Sequence, residues 1–199
     1  MKSTFLILFC SFFIFGCNDK QVKEKNTYQI LSLLIDEFGK PIIPPPPPKE
    51  LSHLKPLTDN QIDSIINQKQ EICIFPIFRR NNNNFNYKKE YDEEFNKLVS
   101  DLKNSYTVEK IDISKIKIDR PYQLSIVDTM KMRENRRYIE KNFDKLLSFY
   151  NVSYNKKGTK AVTIIGVGMG PLNGYTSLVF LEKINGIWKI KNIDTFSIS

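Results

Sequence analysis

Asn185-Gly186 stands between two runs, residues 174–183 and 187–196, whose composition is that of β-strands. Both residues accept a positive φ, so the pair closes a two-residue turn whose twist matches the strands it joins. Trp188 and Ile190 alternate with Lys189 and Lys191, the pattern of a sheet buried on one face. Residues 148–154 and 160–168 are strand-like as well, with turns at Gly158 and at Gly168-Met169-Gly170-Pro171-Leu172-Asn173. The expectation is a C-terminal four-stranded antiparallel meander with Trp188 in its core.

Upstream the period changes from two to three and four. Residues 28–38 carry Ile30, Leu31, Leu33, Leu34, Ile35 and Phe38, a short apolar helix ended by Gly39-Lys40-Pro41. Pro44 to Pro48 form an uninterrupted run, polyproline II about 15 Å long. It is read as a stiff spacer, with recognition by an aromatic groove as the alternative use. Thr58 and Gln61 make a capping box, and Leu57 and Ile62 a hydrophobic staple, for a helix burying Ile62, Ile65 and Ile66.

Residues 72–78 read as a buried strand, with Pro76 placing it near an edge or bulge. Tyr87, Tyr91, Phe95, Leu98 and Leu102 follow at helical spacing, with Lys89, Glu93 and Lys97 opposite. Residues 106–118 read as strand with turns, and 122–127 as a strand. Asp128 then caps a helix carrying Met132, Ile139, Phe143 and Leu146. The fold class is α+β: helices plus the meander, a single domain over residues 58–199 behind a helix and spacer at 28–57.

The first residues do not belong to that domain. Lys2 precedes an apolar run, residues 5–15, broken only by Ser11. As a helix it spans about 16 Å, half a bilayer core, which suits a signal peptide and not a membrane span. Ile14-Phe15-Gly16-Cys17 resembles a lipobox: a branched apolar residue, a tolerant position, a small residue, then cysteine. An ordinary signal cleavage would want a small residue where Ile14 stands. Residues 1–16 are therefore expected to leave as a signal peptide, with lipid attached to Cys17. Residues 17–27 are the lipidated cysteine and a polar tether, flexible enough to reach about 17 Å. Acyl chains contribute about 0.8 kcal/mol per buried CH₂, so such an anchor holds its protein on the membrane. The expected address is the bacterial cell envelope, and Asn18-Asp19 is compatible with outer-membrane sorting.

Removing residues 1–16 from the 199 leaves 183, enough for one core. Of three cysteines, Cys10 goes with the signal and Cys17 to lipid, leaving Cys73 without a disulfide partner. Its neighbours Ile72, Ile74 and Phe75 make it a buried apolar filler and not a reactive thiol. The net charge is +8, or +7 without Lys2; it is read as a lysine-rich solvated surface, with attraction to anionic headgroups or an anionic envelope component as the alternative. Nucleic acid is not an expected partner outside the cytoplasm.

The single histidine, His53, lies in the extended segment after the prolines, so two-histidine metal sites are excluded. Gly166, Gly168 and Gly170 are followed by Pro171, not by a helix N-terminus, and so do not make a phosphate loop. Asp92-Glu93-Glu94 points three ways from one helix. No catalytic residue, metal ligand or cofactor is nominated. Arg133, Arg137 and Lys141 would share a helical face and could grip phosphate or carboxylate groups, as an anion or partner contact. The competing reading is a solvated edge paired with Glu134 and Glu140.

Residues 149–193 resemble a stretch recurring in uncharacterised exported bacterial proteins, many of them lipoproteins. The matching pieces are Asn155 to Ala161, Gly170 to Gly174, and Glu182 to Ile190. The family pattern often has cysteine or a small residue in the bend where this chain has Asn173. The resemblance implies the meander and no activity. Three functions stay open: a non-catalytic binding or interaction module, an envelope hydrolase with a carboxylate-based site, and a partner-specific immunity-type lipoprotein.

Overall fold

The computed structural model describes residues 3–48, 55–79, 91–104 and 108–198. His53, Arg80, Asn81 to Asn84, Tyr87, Lys89 and Tyr106 lie outside the described residues.

Helix α1 (Ser3–Phe38) is one continuous element. The segment expected as a flexible tether is its middle, and Asn26 is already buried against the domain. Ile30, Leu31, Leu34 and Ile35 recur every three or four residues, and all four are fully buried. The helix stops where Gly39 N–H donates to Ile35 O at 2.8 Å. A Cβ at Gly39 would lie 2.7 Å from Ile72 Cδ1 and 2.9 Å from the Tyr122 ring, so only glycine fits between helix and sheet. Lys145, itself buried, donates its amine to Phe38 O at 2.9 Å and also to Lys40 O. A cation here answers carbonyls that the helix end leaves without partners.

Helix α2 (Asp59–Ile66) begins at the expected capping box, Thr58 N–H donating to Gln61 Oε1 at 2.9 Å. Its expected buried face is only half-buried, at Ile62, Ile65 and Ile66. Strand β1 (Gln70–Ile74) follows, then α3 (Glu93–Lys103), capped by Asp92 and burying Phe95, Leu98, Val99 and Leu102. A short 3-10 turn (Ile113–Lys115) leads to β2 (Tyr122–Ile126).

The helix expected after Asp128 is two pieces, α4 (Thr129–Glu134) and α5 (Tyr138–Asn142). Asn135 separates them by accepting the Arg137 N–H on its side-chain oxygen at 2.9 Å, an Asx turn. Leu146, expected on that helix, is instead in β3 (Lys145–Phe149). Then come β4 (Ser153–Tyr154), β5 (Lys160–Gly170), β6 (Asn173–Ile184) and β7 (Ile187–Ile198).

The seven strands among the described residues form one mixed sheet in the order β2-β1-β3-β5-β6-β7, with β4 also on β5. β1 pairs in parallel with both β2 and β3, so the strand expected near an edge is internal. Pro76 falls just after β1 ends, where its missing N–H breaks no ladder. From β3 onward the pairing is antiparallel. The expected first strand, 148–154, is split between β3 and β4, and the C-terminal strands belong to the larger sheet.

The sheet is covered on both faces, not one. Ala161, Ile165, Val179, Leu181 and Trp188 pack with α1. Val162, Ile164, Leu178 and Phe180 pack with α3. Cys73, Val127 and Ile139 form a smaller cluster with the half-buried Leu146. Residues alternate between these clusters along β5 and β6, which is why both strands read as near-continuous apolar runs. Edge strand β7 keeps the alternation, Trp188 in and Lys189 out. Its turn has Asn185 at φ 52° and Gly186 at φ 81°, both left-handed.

Candidate functional site

A groove runs along α1, which supplies Gln21, Lys25, Gln29 and Leu33 on one stripe and Glu24, Tyr28, Ser32 and Asp36 on the next. Residues four apart stack on one helix face, so each stripe follows directly from the sequence. One wall is Lys115 and Lys117, the other Gly186, Ile187 and Trp188, and the groove encloses about 670 Å³. That volume suits a small molecule or a few residues of peptide.

Both walls are tied to α1. On the first, Asp112 N–H donates to Tyr28 Oη at 2.9 Å and Lys117 N–H to Ser32 Oγ at 3.0 Å. The Lys115 amine meets Glu24 at 2.6 Å and lies 5.5 Å from the Tyr28 ring centroid. The Glu24 hydrogen bond raises the Lys115 pKa. On the second wall Asn26 Oδ1 accepts from Lys183 Nζ at 2.7 Å and from Trp188 Nε1 at 3.3 Å. Tyr154 adds a 2.9 Å hydroxyl contact with Thr27 and a tilted ring contact with Trp188, centroids 5.9 Å apart. Burial pushes the Tyr154 phenol up.

Asp36 closes the groove's far end. Its Oδ1 is buried and lacks a hydrogen-bond partner among the described residues. Burial first, then the charge of Asp119, raises its pKa, with Arg120 and Lys40 opposing. The groove thus combines apolar walls at Tyr28, Leu33, Ile187 and Trp188 with lysines and one poorly solvated carboxyl.

Cys17, the expected lipid site, lies in α1 nine residues before Asn26, about 14 Å along the axis. Arg133, Arg137 and Lys141 are exposed, but the Asn135 break removes their common helical face. Arg137 stands at the N-cap of α5, 3.8 Å from Glu140. Cys73 is fully buried, and burial pushes its thiol up to about 12, so it holds its proton at neutral pH. Among the described residues no three or more His, Cys, Asp or Glu side chains gather as a metal would need. No helix among them is long and apolar enough to cross a membrane.

Sequence reading missed the groove because its walls come from segments more than seventy residues beyond the end of the helix they flank. Residues 17–27 read as a polar tether, so the helical face that Gln21 and Lys25 share was not expected, and nothing local announced what would flank it. No protein-family model matches the chain, and neither a curated protein nor a solved structure is similar to it.

Proposed function

We propose that this chain is an exported bacterial lipoprotein, cleaved after Gly16 and lipidated on Cys17, that serves as a non-catalytic binding module at the cell envelope. The outer membrane is the address that Asn18-Asp19 favours. The observation that carries the reading is the continuity of α1: the helix holding Cys17 also supplies the core residues Ile30 to Phe38 and the floor of the groove. A lipid on Cys17 would hold the groove at a nearly fixed height above the membrane. The groove's mixture of aromatic, aliphatic and lysine side chains suits an acidic peptide segment of an envelope protein better than a reacting substrate. Cys73 supports the non-catalytic reading, since its thiol stays protonated and enclosed.

The test is intact mass and membrane fractionation of the chain and its Cys17→Ser variant in a bacterial host. The proposal expects an acylated chain beginning at Cys17, and an uncleaved, unacylated product from the variant. Identical processing of both would overturn it.

A further inference from the structure

We infer that the end of the sheet formed by the Asn185-Gly186 hairpin and the neighbouring 155–159 turn faces the membrane and rests on anionic lipid headgroups; this builds on lipidation of Cys17.

The direction of α1 comes first. Asn26 and Thr27 are held to Lys183, Trp188 and Tyr154 at one end of the sheet. Phe38, at the helix C-terminus, meets Tyr175 near the other end, ring centroids 6.4 Å apart. The helix therefore leaves the domain N-terminally past the hairpin, and Gln21 still lines the groove together with Gly186 and Ile187. Gln21 is four residues, about 6 Å of helix, from Cys17. Acyl chains on that cysteine would bring the hairpin tip to headgroup level.

The 155–159 turn sits at the same end, since Lys183 N–H donates to Thr159 O at 2.7 Å. The surface chemistry fits. Ile184 is 47% exposed, Ile187 65% and Val22 51%, three apolar side chains around a turn that water would otherwise surround. Lys20, Lys23, Lys156, Lys157 and Lys189 are exposed about them. The acids nearby are engaged, Glu24 with Lys115 and Glu182 with Lys191, each at 2.6 Å, leaving Asp19 exposed. Lysines within a Debye length of an anionic leaflet are drawn to it, and the isoleucines can enter the boundary between headgroup and acyl chain. Leu172 and Ile198 are also exposed, but at the opposite end. Apolarity alone does not choose between the ends; the position of Cys17 does.

The test uses the lipidated protein, its acylation checked by mass, reconstituted on vesicles of phosphatidylcholine with or without phosphatidylglycerol. A polarity-sensitive fluorophore is attached through Ile187→Cys or, as the control, Leu172→Cys. Both positions are exposed, and buried Cys73 does not compete for label. The expected result is a blue shift at Ile187→Cys on phosphatidylglycerol vesicles, reversed by salt and abolished by Lys156→Glu with Lys157→Glu, and no shift at Leu172→Cys. Equal shifts at both positions, or none at Ile187→Cys on an acylated chain, would overturn this inference alone. A shift that ignores salt and persists on phosphatidylcholine would overturn the role of headgroup charge. A chain without acyl groups overturns the anchoring reading, and this one with it.

Discussion

Trp188 donates its indole N–H to the side-chain oxygen of Asn26 at 3.3 Å, across 162 positions of sequence, and Lys183 donates to the same oxygen. One amide thereby ties helix α1 to both strands of the C-terminal hairpin. Trp188 is 4% exposed, with the Lys183 amine 5.5 Å from its ring centroid. Trp188→Ala is expected to cost about 3–5 kcal/mol, as for a large aromatic truncated in a core. Asn26→Ala removes the acceptor from an indole and an ammonium, and about 1–3 kcal/mol is expected. Urea unfolding measures both, and losses under about 0.5 kcal/mol, the range of inert surface changes, would contradict the packing described.

Lys145 places a buried ammonium on the carbonyls that end α1. Lys145→Met is expected to cost about 1–3 kcal/mol at neutral pH, because it leaves those acceptors unpaired. Burial lowers this lysine's pKa, so the unfolded chain holds the proton to higher pH than the folded one. Its contribution to stability therefore rises with pH, from the lowered folded value up to the ordinary lysine range. The stability gap between wild type and Lys145→Met should widen through that window. A constant gap would show that the amine is not desolvated.

Asp36 gives the opposite sign of pH dependence. Its folded pKa is raised, chiefly by burial, so the stability it confers is present at low pH and declines as pH climbs through the ordinary carboxylate range to the raised value. Asp36→Asn should raise the melting temperature at pH 7 and leave it nearly unchanged at pH 3. An equal change at both would point to packing in place of charge.

What was legible beforehand was local. The Asn185-Gly186 turn, the Thr58–Gln61 box and the Phe95, Leu98, Leu102 face each need only residues within a few positions of one another. The parallel pairing of β1 with β2 and β3 was not legible, because Ile72 to Ile74 read alike beside any neighbour. Residues 18–27 are polar and read as a tether; Tyr154, Lys183 and Trp188 hold Asn26 and Thr27 in the helix, and no propensity rule knows of them. The helix shared by Arg133 and Arg137 failed on one side chain, Asn135, whose amide oxygen competes for a backbone N–H. The candidate groove was the least legible, being assembled from α1, the 111–118 segment and the hairpin.

Cys73 yields a chemical prediction. With its thiol fully buried and raised to about 12, alkylation by iodoacetamide at pH 8 is expected to be negligible in the folded protein and fast in denaturant. Ready labelling of the native state would mean that the cluster with Val127 and Ile139 opens.

The central claim is that α1 joins a lipid anchor to the core of the domain, and intact mass spectrometry of the mature protein from membranes tests it most directly. The account predicts a chain that begins at Cys17 and carries the mass of its acyl groups. An unmodified cysteine at that position, or a mature chain beginning elsewhere, would contradict it.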